Sequence, residues 1–143
     1  MMKTDQEMQR FYTECRKHHL KITPQRTVLF KELLSEPDHP TADMVYQRVR
    51  ETLPNISYDT VNRTLLSFAD LGIIRQIESR GTAKRFDPDV SQHHHFQCIK
   101  CGRIIDIEDE SYNNIGLPKH LPEGLVVLDK HVVLEGICDT CHK

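Results

Sequence analysis

Ser57-Tyr58-Asp59-Thr60-Val61-Asn62-Arg63-Thr64-Leu65-Leu66-Ser67-Phe68-Ala69-Asp70-Leu71-Gly72 carries its own start and stop signals. Ser57 is a good N-cap, Val61, Leu65, Phe68 and Leu71 form one apolar stripe at helical spacing, and Gly72 suits the left-handed position past a helix end. The next residues change period. Ile73-Ile74-Arg75-Gln76-Ile77-Glu78 and Thr82-Ala83-Lys84-Arg85-Phe86-Asp87 flank Ser79-Arg80-Gly81, which reads as strand, turn, strand.

Upstream, Pro54-Asn55-Ile56 is a short turn, and Thr41 caps a helix with Met44, Val45, Val49 and Leu53 inward. Glu36-Pro37-Asp38-His39-Pro40 breaks the chain. Before it, Thr23 and Pro24 open a helix through Ser35 whose apolar face is Val28, Leu29, Leu33 and Leu34. Asp5–His19 reads as a further helix, with Met8, Phe11, Tyr12 and Cys15 at roughly helical spacing; Cys15 reads as a small core residue. Three short helices followed by a β-hairpin make a winged helix-turn-helix. In that fold the last helix enters the major groove and the hairpin touches the DNA backbone. Tyr58, Thr60, Asn62 and Arg63 are then the candidate DNA contacts on the helix, with Lys21, Arg26, Arg80 and Lys84 as phosphate candidates.

Asp87-Pro88-Asp89 ends the hairpin and marks the expected boundary between a DNA-binding domain, 1–88, and a second domain, 89–143. Charge divides there too. The first part holds 14 Lys/Arg against 12 Asp/Glu, the second 5 against 9, so the net charge of −2 conceals a weakly basic half and an acidic one. That balance alone does not establish nucleic-acid binding. A hydrophobic content of 38% and a charged content of 28% suit a globular chain. No apolar run approaches the ~18–20 residues of a membrane span, and the start lacks an apolar signal core. The expectation is a cytoplasmic protein, where cysteines serve more often as metal ligands than as disulfides.

The second part opens on His93-His94-His95-Phe96-Gln97-Cys98-Ile99-Lys100-Cys101. As a strand this alternates, so His93 and His95 share one face and His94, Phe96 and Cys98 the other. Being internal, the histidine run is not an expression tag. Arg103–Glu108, Leu125–Leu128 and Val132–Glu135 read as further strands, with a short helix somewhere in Glu110–Leu121. Cys98-x-x-Cys101 and Cys138-x-x-Cys141 are separated by 36 residues. Two residues between thiols let each pair meet one tetrahedral ion, which points to structural Zn(II) ahead of an iron–sulfur cluster. A zinc deaminase is set aside because its His-x-Glu and Pro-Cys-x-x-Cys signatures are missing. His93 and His95, with Asp87 and Asp106 nearby and His39 in the earlier loop, would supply three nitrogens and two oxygens. That donor mix suits Fe(II) or Mn(II), with Zn(II) as the other candidate.

Taken together, Thr23-Pro24-Gln25-Arg26, His39-Pro40-Thr41-Ala42-Asp43, Pro54-Asn55-Ile56-Ser57, Thr60-Val61, Arg85-Phe86-Asp87, His93-x-His95-x-x-Cys98-x-x-Cys101-Gly102 and Gly136-x-Cys138-x-x-Cys141 resemble the ferric uptake regulator family of bacterial metal-dependent repressors. The resemblance spans about Leu20 to the C-terminus. It implies an α+β chain: the winged helix, a hinge, and a small α/β dimerisation domain. It implies a homodimer on double-stranded operator DNA. One structural zinc per subunit would sit on Cys98, Cys101, Cys138 and Cys141. One regulatory Fe(II) or Mn(II) per subunit would sit on His39, Asp87, His93, His95 and Asp106. Metal ion and peroxide are the only small molecules implied, and no enzymatic turnover or membrane partner is.

Iron-sensing members typically carry glutamates at the two carboxylate positions, whereas peroxide-sensing repressors carry aspartates. Asp87 and Asp106 therefore resemble the peroxide sensors, in which bound Fe(II) oxidises a ligand histidine, here His39 or His93. The alternative is a ferrous-iron or other divalent-metal regulator without peroxide sensing. A further metal site of many iron-sensing members falls here on Gln92, His94, Asn113 and Lys130, of which only His94 ligates readily, so that site is expected to be missing. Asn62 stands where the family usually has tyrosine, and asparagine can pair bidentately with adenine. Pro118 and Pro122 fall where the family has a longer helix. Outside the family, a metalloenzyme on the His/Asp set lacks a nucleophile motif, and a zinc-ribbon module that binds no DNA leaves the winged helix without a purpose.

Overall fold

The computed structural model describes residues 3–36, 38–78 and 83–143, which divide into two compact units, Met1–Val90 and Ser91–Lys143. The division falls just past the Asp87-Pro88-Asp89 boundary expected from the sequence. Each unit is built on a different kind of interior.

The first unit contains α1 (Lys3–Lys17), α2 (Pro24–Ser35), α3 (Ala42–Val49), α4 (Tyr58–Asp70), β1 (Arg75–Glu78) and β2 (Lys84–Asp87). All three expected caps form. Thr23, Thr41 and Ser57 have extended backbones, and their side chains accept from the amides of Arg26, Met44 and Thr60. Each satisfies an amide that the first helical turn would otherwise leave open, at about 1 kcal/mol per cap. Helix α4 ends in a Schellman motif. Gly72 has φ +76°, its amide bonds to Ala69 O, and the Ile73 amide returns to Phe68 O at 2.9 Å. Phe11, Phe30 and Phe68 meet at the centre: Phe11 stacks on Phe30 at 4.5 Å and meets Phe68 edge-on at 5.5 Å. Leu29, Leu33, Val45, Val61, Leu65 and Ile73 close around them with almost no exposure. Full burial of each such side chain is worth roughly 1.5–3 kcal/mol, so this unit rests on apolar packing.

β1 and β2 pair antiparallel, with Arg75 opposite Asp87 and Glu78 opposite Lys84. The turn read at Ser79-Arg80-Gly81 lies outside the described residues. Thr41 forms an isolated bridge with Arg85, and Phe86 N donates to Pro40 O. The loop before α3 is thereby laid alongside β2.

The second unit contains β3 (His94–Cys98), β4 (Ile104–Ile107), α5 (Glu110–Asn113), β5 (Val133–Gly136) and α6 (Asp139–His142). Its sheet has the order β4-β3-β5, antiparallel to β4 and parallel to β5. Register does the positioning. His95 lies opposite Asp106, and Cys98 lies opposite Gly136, two residues before Cys138. Gly136 leaves room for Phe96 there: a Cβ would stand 3.0 Å from Phe96 Cε2, and the ring would have to give by a few tenths of an ångström.

One expectation is corrected. Leu125–Leu128 forms no strand: the segment is exposed, up to 91% at Leu128, and no described strand offers it a partner. A strand gains its backbone bonds from a neighbour, and apolar alternation without one does not order it. The short helix expected somewhere in Glu110–Leu121 is α5, and it ends at Asn113. Asn114 caps it, and Gly116 and Pro118 do not continue it. Few apolar residues of this unit are buried; Ile104 is one, while Ile115, Leu117, Leu121, Val133, Leu134 and Ile137 are exposed. Its buried positions are instead mostly Cys, His and Gln. No helix of the described residues is long and apolar enough to cross a membrane.

Candidate metal centres and the DNA-facing helix

Cys98 ends β3 and Cys101 follows in a tight turn closed by the bond from Gly102 N to Cys98 O. Cys138 caps α6 and Cys141 lies within it. The four Sγ atoms lie within 4.8 Å of one another. Cys101 Sγ and Cys138 Sγ are 3.7 Å apart, far beyond a disulfide bond. That spacing matches the edge of a tetrahedron with Zn–S bonds of ~2.3 Å, which is about 3.8 Å. Cys98 Sγ accepts from the amides of Cys101, at 3.5 Å, and Cys138, at 3.4 Å. Those two bonds lower its pKa from 9.0 to about 6, so it holds the thiolate form that binds metal. Cys141 is pushed up to about 12, chiefly by its hydrogen bonds to Cys138 and Cys101, and is the last to lose its proton without an ion. Arg103 clamps the two knuckles: it pairs with Asp139 at 2.9 Å and also bonds to Cys138. Geometry, donor type and thiolate preparation all fit structural zinc.

In the same unit a nitrogen–oxygen set forms beside the sheet. His93 directly precedes β3, and its ring meets that of His95 edge-on at 4.7 Å. The Nε2 atoms of both lie 3.3 Å from the same Asp106 Oδ1. His93 Nδ1 sits 2.9 Å from Ser91 O, where an Nδ1–H donates and leaves the Nε2 lone pair directed at the shared point. His93 and His95 are buried, whereas Asp106 is 40% exposed.

The first unit supplies a separate pair. His39 Nε2 lies 3.3 Å from Asp87 Oδ2, both buried. His39 holds φ +52°, a left-handed conformation uncommon for a residue with a Cβ and costing of order 1–3 kcal/mol. Arg85 Nη1 donates to its carbonyl at 3.0 Å, and Arg48 grips the preceding Asp38 with both nitrogens, at 3.3 and 2.5 Å. Asp87 is fixed in turn, because Asp89 N donates to its Oδ1.

His94 behaves as the alternation predicts and points elsewhere. Its Nε2 lies 2.7 Å from Asn113 Oδ1, its Nδ1 accepts from Val132 N at 2.9 Å, and Tyr112 stands edge-on to its ring. Both nitrogens are engaged, so His94 acts as a hydrogen-bonded clip between α5 and the approach to β5. Lys130 Nζ bonds to Ile115 O and Gln92 is exposed.

On α4, Tyr58 is exposed and stacks edge-on against Tyr46. Thr60 accepts from Ser57 Oγ, and Asn62 is half-buried. Arg63 pairs with Asp59 at 2.7 Å on an open face. A groove of about 630 Å³ separates the start of α2 from α4, lined by Thr23, Arg26, Thr60 and Arg63 among others. Arg26 also donates to Lys21 O at 2.7 Å. Lys84 is exposed on β2, and Arg80 lies outside the described residues. Asp59 escaped the sequence reading although its spacing to Arg63 was legible. Arg48 and Arg85 had no local signal, because their partners lie 10 and 46 residues away.

The chain matches the ferric uptake regulator family over residues 17–134. A peroxide-responsive repressor of Staphylococcus epidermidis is 33% identical over 138 residues, covering 96% of this chain and 91% of that protein. Among solved structures, the ferric uptake regulator of Helicobacter pylori, described as having three functional metal-binding sites, aligns with a TM-score of 0.76 at 20% identity over 99% of this chain and 95% of that one. PerR of Streptococcus pyogenes, described as sensing peroxide and regulating genes, aligns with a TM-score of 0.55 at 25% identity over 94% and 92%. With a family model spanning most of its length and a relative of this identity, the chain belongs to the ferric uptake regulator family.

Proposed function

We propose that this metal-responsive regulator is a homodimeric repressor of double-stranded operator DNA in the cytoplasm, that it senses hydrogen peroxide, and that Cys98, Cys101, Cys138 and Cys141 hold its structural zinc. The observation that carries the reading is the convergence of His93 Nε2 and His95 Nε2 on one oxygen of Asp106, with His93 oriented from behind by Ser91 O. Two buried imidazoles and an aspartate supply three of the five donors of an Fe(II)- or Mn(II)-type set. His39 and Asp87 are the same chemistry prepared in the winged-helix unit. In this proposal one divalent ion takes all five residues. It thereby fixes the angle between winged helix and dimer domain, so that two recognition helices address successive major grooves about one helical turn apart. DNA then strengthens metal binding by the same factor as metal strengthens DNA binding.

Each chain residue has a separate task. Ser91 O holds the His93 tautomer, Arg85 and Arg48 hold the His39 loop, and Asp89 N orients Asp87. The short aspartates, in place of the glutamates of iron sensors, favour the peroxide branch. Fe(II) held by these residues would promote cleavage of the peroxide O–O bond; one oxygen would be added to the His39 or His93 imidazole, the other would leave as water, and the oxidised ring would no longer ligate. Tyr58, Thr60, Asn62 and Arg63 face the bases; Lys21, Arg26, Arg80 and Lys84 face phosphates. Replacing Asn62 by alanine should alter sequence preference, whereas replacing a phosphate contact should lower the salt dependence of binding by about one charge.

The deciding experiment measures binding of zinc-loaded protein to a selected duplex with Fe(II), with Mn(II) and with neither, before and after micromolar peroxide, followed by peptide mass spectrometry. The expected result is metal-dependent binding, lost with Fe(II) plus peroxide but kept with Mn(II), and one added oxygen atom on His39 or His93. An Fe(II) protein that stays on DNA unmodified is a divalent-metal regulator without peroxide sensing.

A further inference from the structure

One guanidinium in the first unit bonds to two backbone carbonyls remote from each other in the chain. Arg10, on α1, donates through Nη1 to Ile73 O at 2.9 Å and through Nη2 to Pro88 O at 2.8 Å. Neither partner is local: they lie 63 and 78 residues away. Ile73 is the residue whose amide closes the Schellman end of α4 on Phe68 O. Pro88 directly follows Asp87, whose carboxylate is already held by Asp89 N. Glu7 steadies the guanidinium at 3.0 Å, and Arg10 Cζ lies over the Phe30 ring, 5.6 Å from its centre. A planar fork with donors fixed in direction can hold two carbonyls at a set separation, which a flexible ammonium cannot.

We propose that Arg10 is the positioning residue that ties the Asp87 end of the metal-responsive site to the end of the recognition helix. This rests on the metal-dependent repressor reading given above. Arg10 touches neither metal nor DNA. It makes the segment carrying Asp87 and the C-terminal end of α4 move as one body, so that a ligand ordering the first also orders the second. Without it, Pro88 O and Ile73 O turn to water. The links left between the two segments then include the β1–β2 pairing, where Arg75 lies opposite Asp87, and the 3.2 Å bond from Arg75 to Val90 O, neither of which touches Ile73 O or Pro88 O.

The test uses the full-length, zinc-loaded protein, Mn(II) as the probe metal, and a duplex selected from a random-sequence pool by the wild type. DNA affinity is measured with and without Mn(II), and Mn(II) affinity with and without DNA. In the wild type each should raise the other by the same factor, within the roughly 5- to 150-fold range usual for coupled sites. In Arg10→Ala that factor should collapse to about twofold or less, while Mn(II) affinity without DNA and DNA affinity without Mn(II) stay near wild type. Arg10→Lys, which keeps charge and stem length, should fall between them and guards against a folding defect. Glu7→Gln, which leaves both carbonyl contacts, should retain the wild-type factor. A wild-type factor retained in Arg10→Ala overturns the proposal. So does a loss of DNA affinity that is equal with and without Mn(II), since that is a structural defect rather than lost coupling. A wild type that shows no Mn(II)-dependent gain overturns the repressor reading itself, and this inference with it.

Discussion

The two units solve the same problem, filling an interior, with opposite materials. The first packs Phe11, Phe30 and Phe68 inside four helices and leaves its polar residues to cap and clamp. The second has 53 residues and buries His93, His94, His95, Gln97, Cys98 and Cys138, while large apolar side chains from Ile115 to Ile137 stay exposed in the single chain. A unit of that size with so little apolar burial needs a staple. The contrast teaches that one half stands on apolar packing, whereas the other relies on a polar, metal-ready interior.

Stripping the zinc breaks the comparison hardest. Structural zinc contributes on the order of 10 kcal/mol or more to small metal-dependent folds. Chelation, or Cys138→Ser, should abolish hydrogen-exchange protection in β3, β4 and β5 while α2 and α4 stay protected; loss of protection in both units at once would show that the first does not stand alone. Phe30→Ala attacks the other interior. It should cost roughly 3–5 kcal/mol, as for other buried aromatic truncations, and lower the denaturation midpoint of the helical signal without changing zinc content. His94→Ala tests whether the polar core of the second unit is held by hydrogen bonds as well as zinc. Leaving the Val132 amide and the Asn113 side chain without their partner should cost about 1–3 kcal/mol, with bound metal per subunit unchanged. A fall in metal content with this variant would make His94 a ligand.

The smallest effect expected is a proton effect on the folded, zinc-loaded protein. Cys98 has its folded pKa lowered to about 6 from 9.0 by the Cys101 and Cys138 amides. A depressed acid stabilises above its unfolded value, so its contribution is complete above about pH 9 and is lost as pH falls through about 6. Zinc release, followed with a chromophoric chelator, should therefore set in as pH falls toward about 6, and zinc kept well below that pH would overturn this reading. The raised pKa of Cys141 has the opposite sign: its neutral thiol stabilises below about pH 9 and that share is lost as pH rises toward about 12.

Much of this was legible locally. Thr23, Thr41 and Ser57 announced three helix starts, Gly72 a helix end, and the paired Cys-x-x-Cys motifs their own meeting, because each signal acts within a turn of chain. The period-two reading of residues 93–98 separated His93 and His95 from His94, and the hydrogen bonds of His94 follow that division. Leu125–Leu128 misled, because alternation describes a strand's faces and says nothing about whether a partner is there to receive its backbone. The clamps were invisible for a different reason. Arg10, Arg48 and Arg85 look like surface cations in the sequence, and their carbonyl or carboxylate partners are remote.

Sequence alone therefore determined the helix ends, the faces of β3 and the donor types that qualify as metal ligands, since capping, pleat and coordination chemistry depend on residue type and short spacing. Tertiary structure alone decided the rest. Strand register set His95 against Asp106, a left-handed backbone at His39 brought its ring to Asp87, and one arginine joined Ile73 to Pro88. Such juxtapositions join residues far apart in the chain, and only packing the helices and strands together fixes where those residues meet.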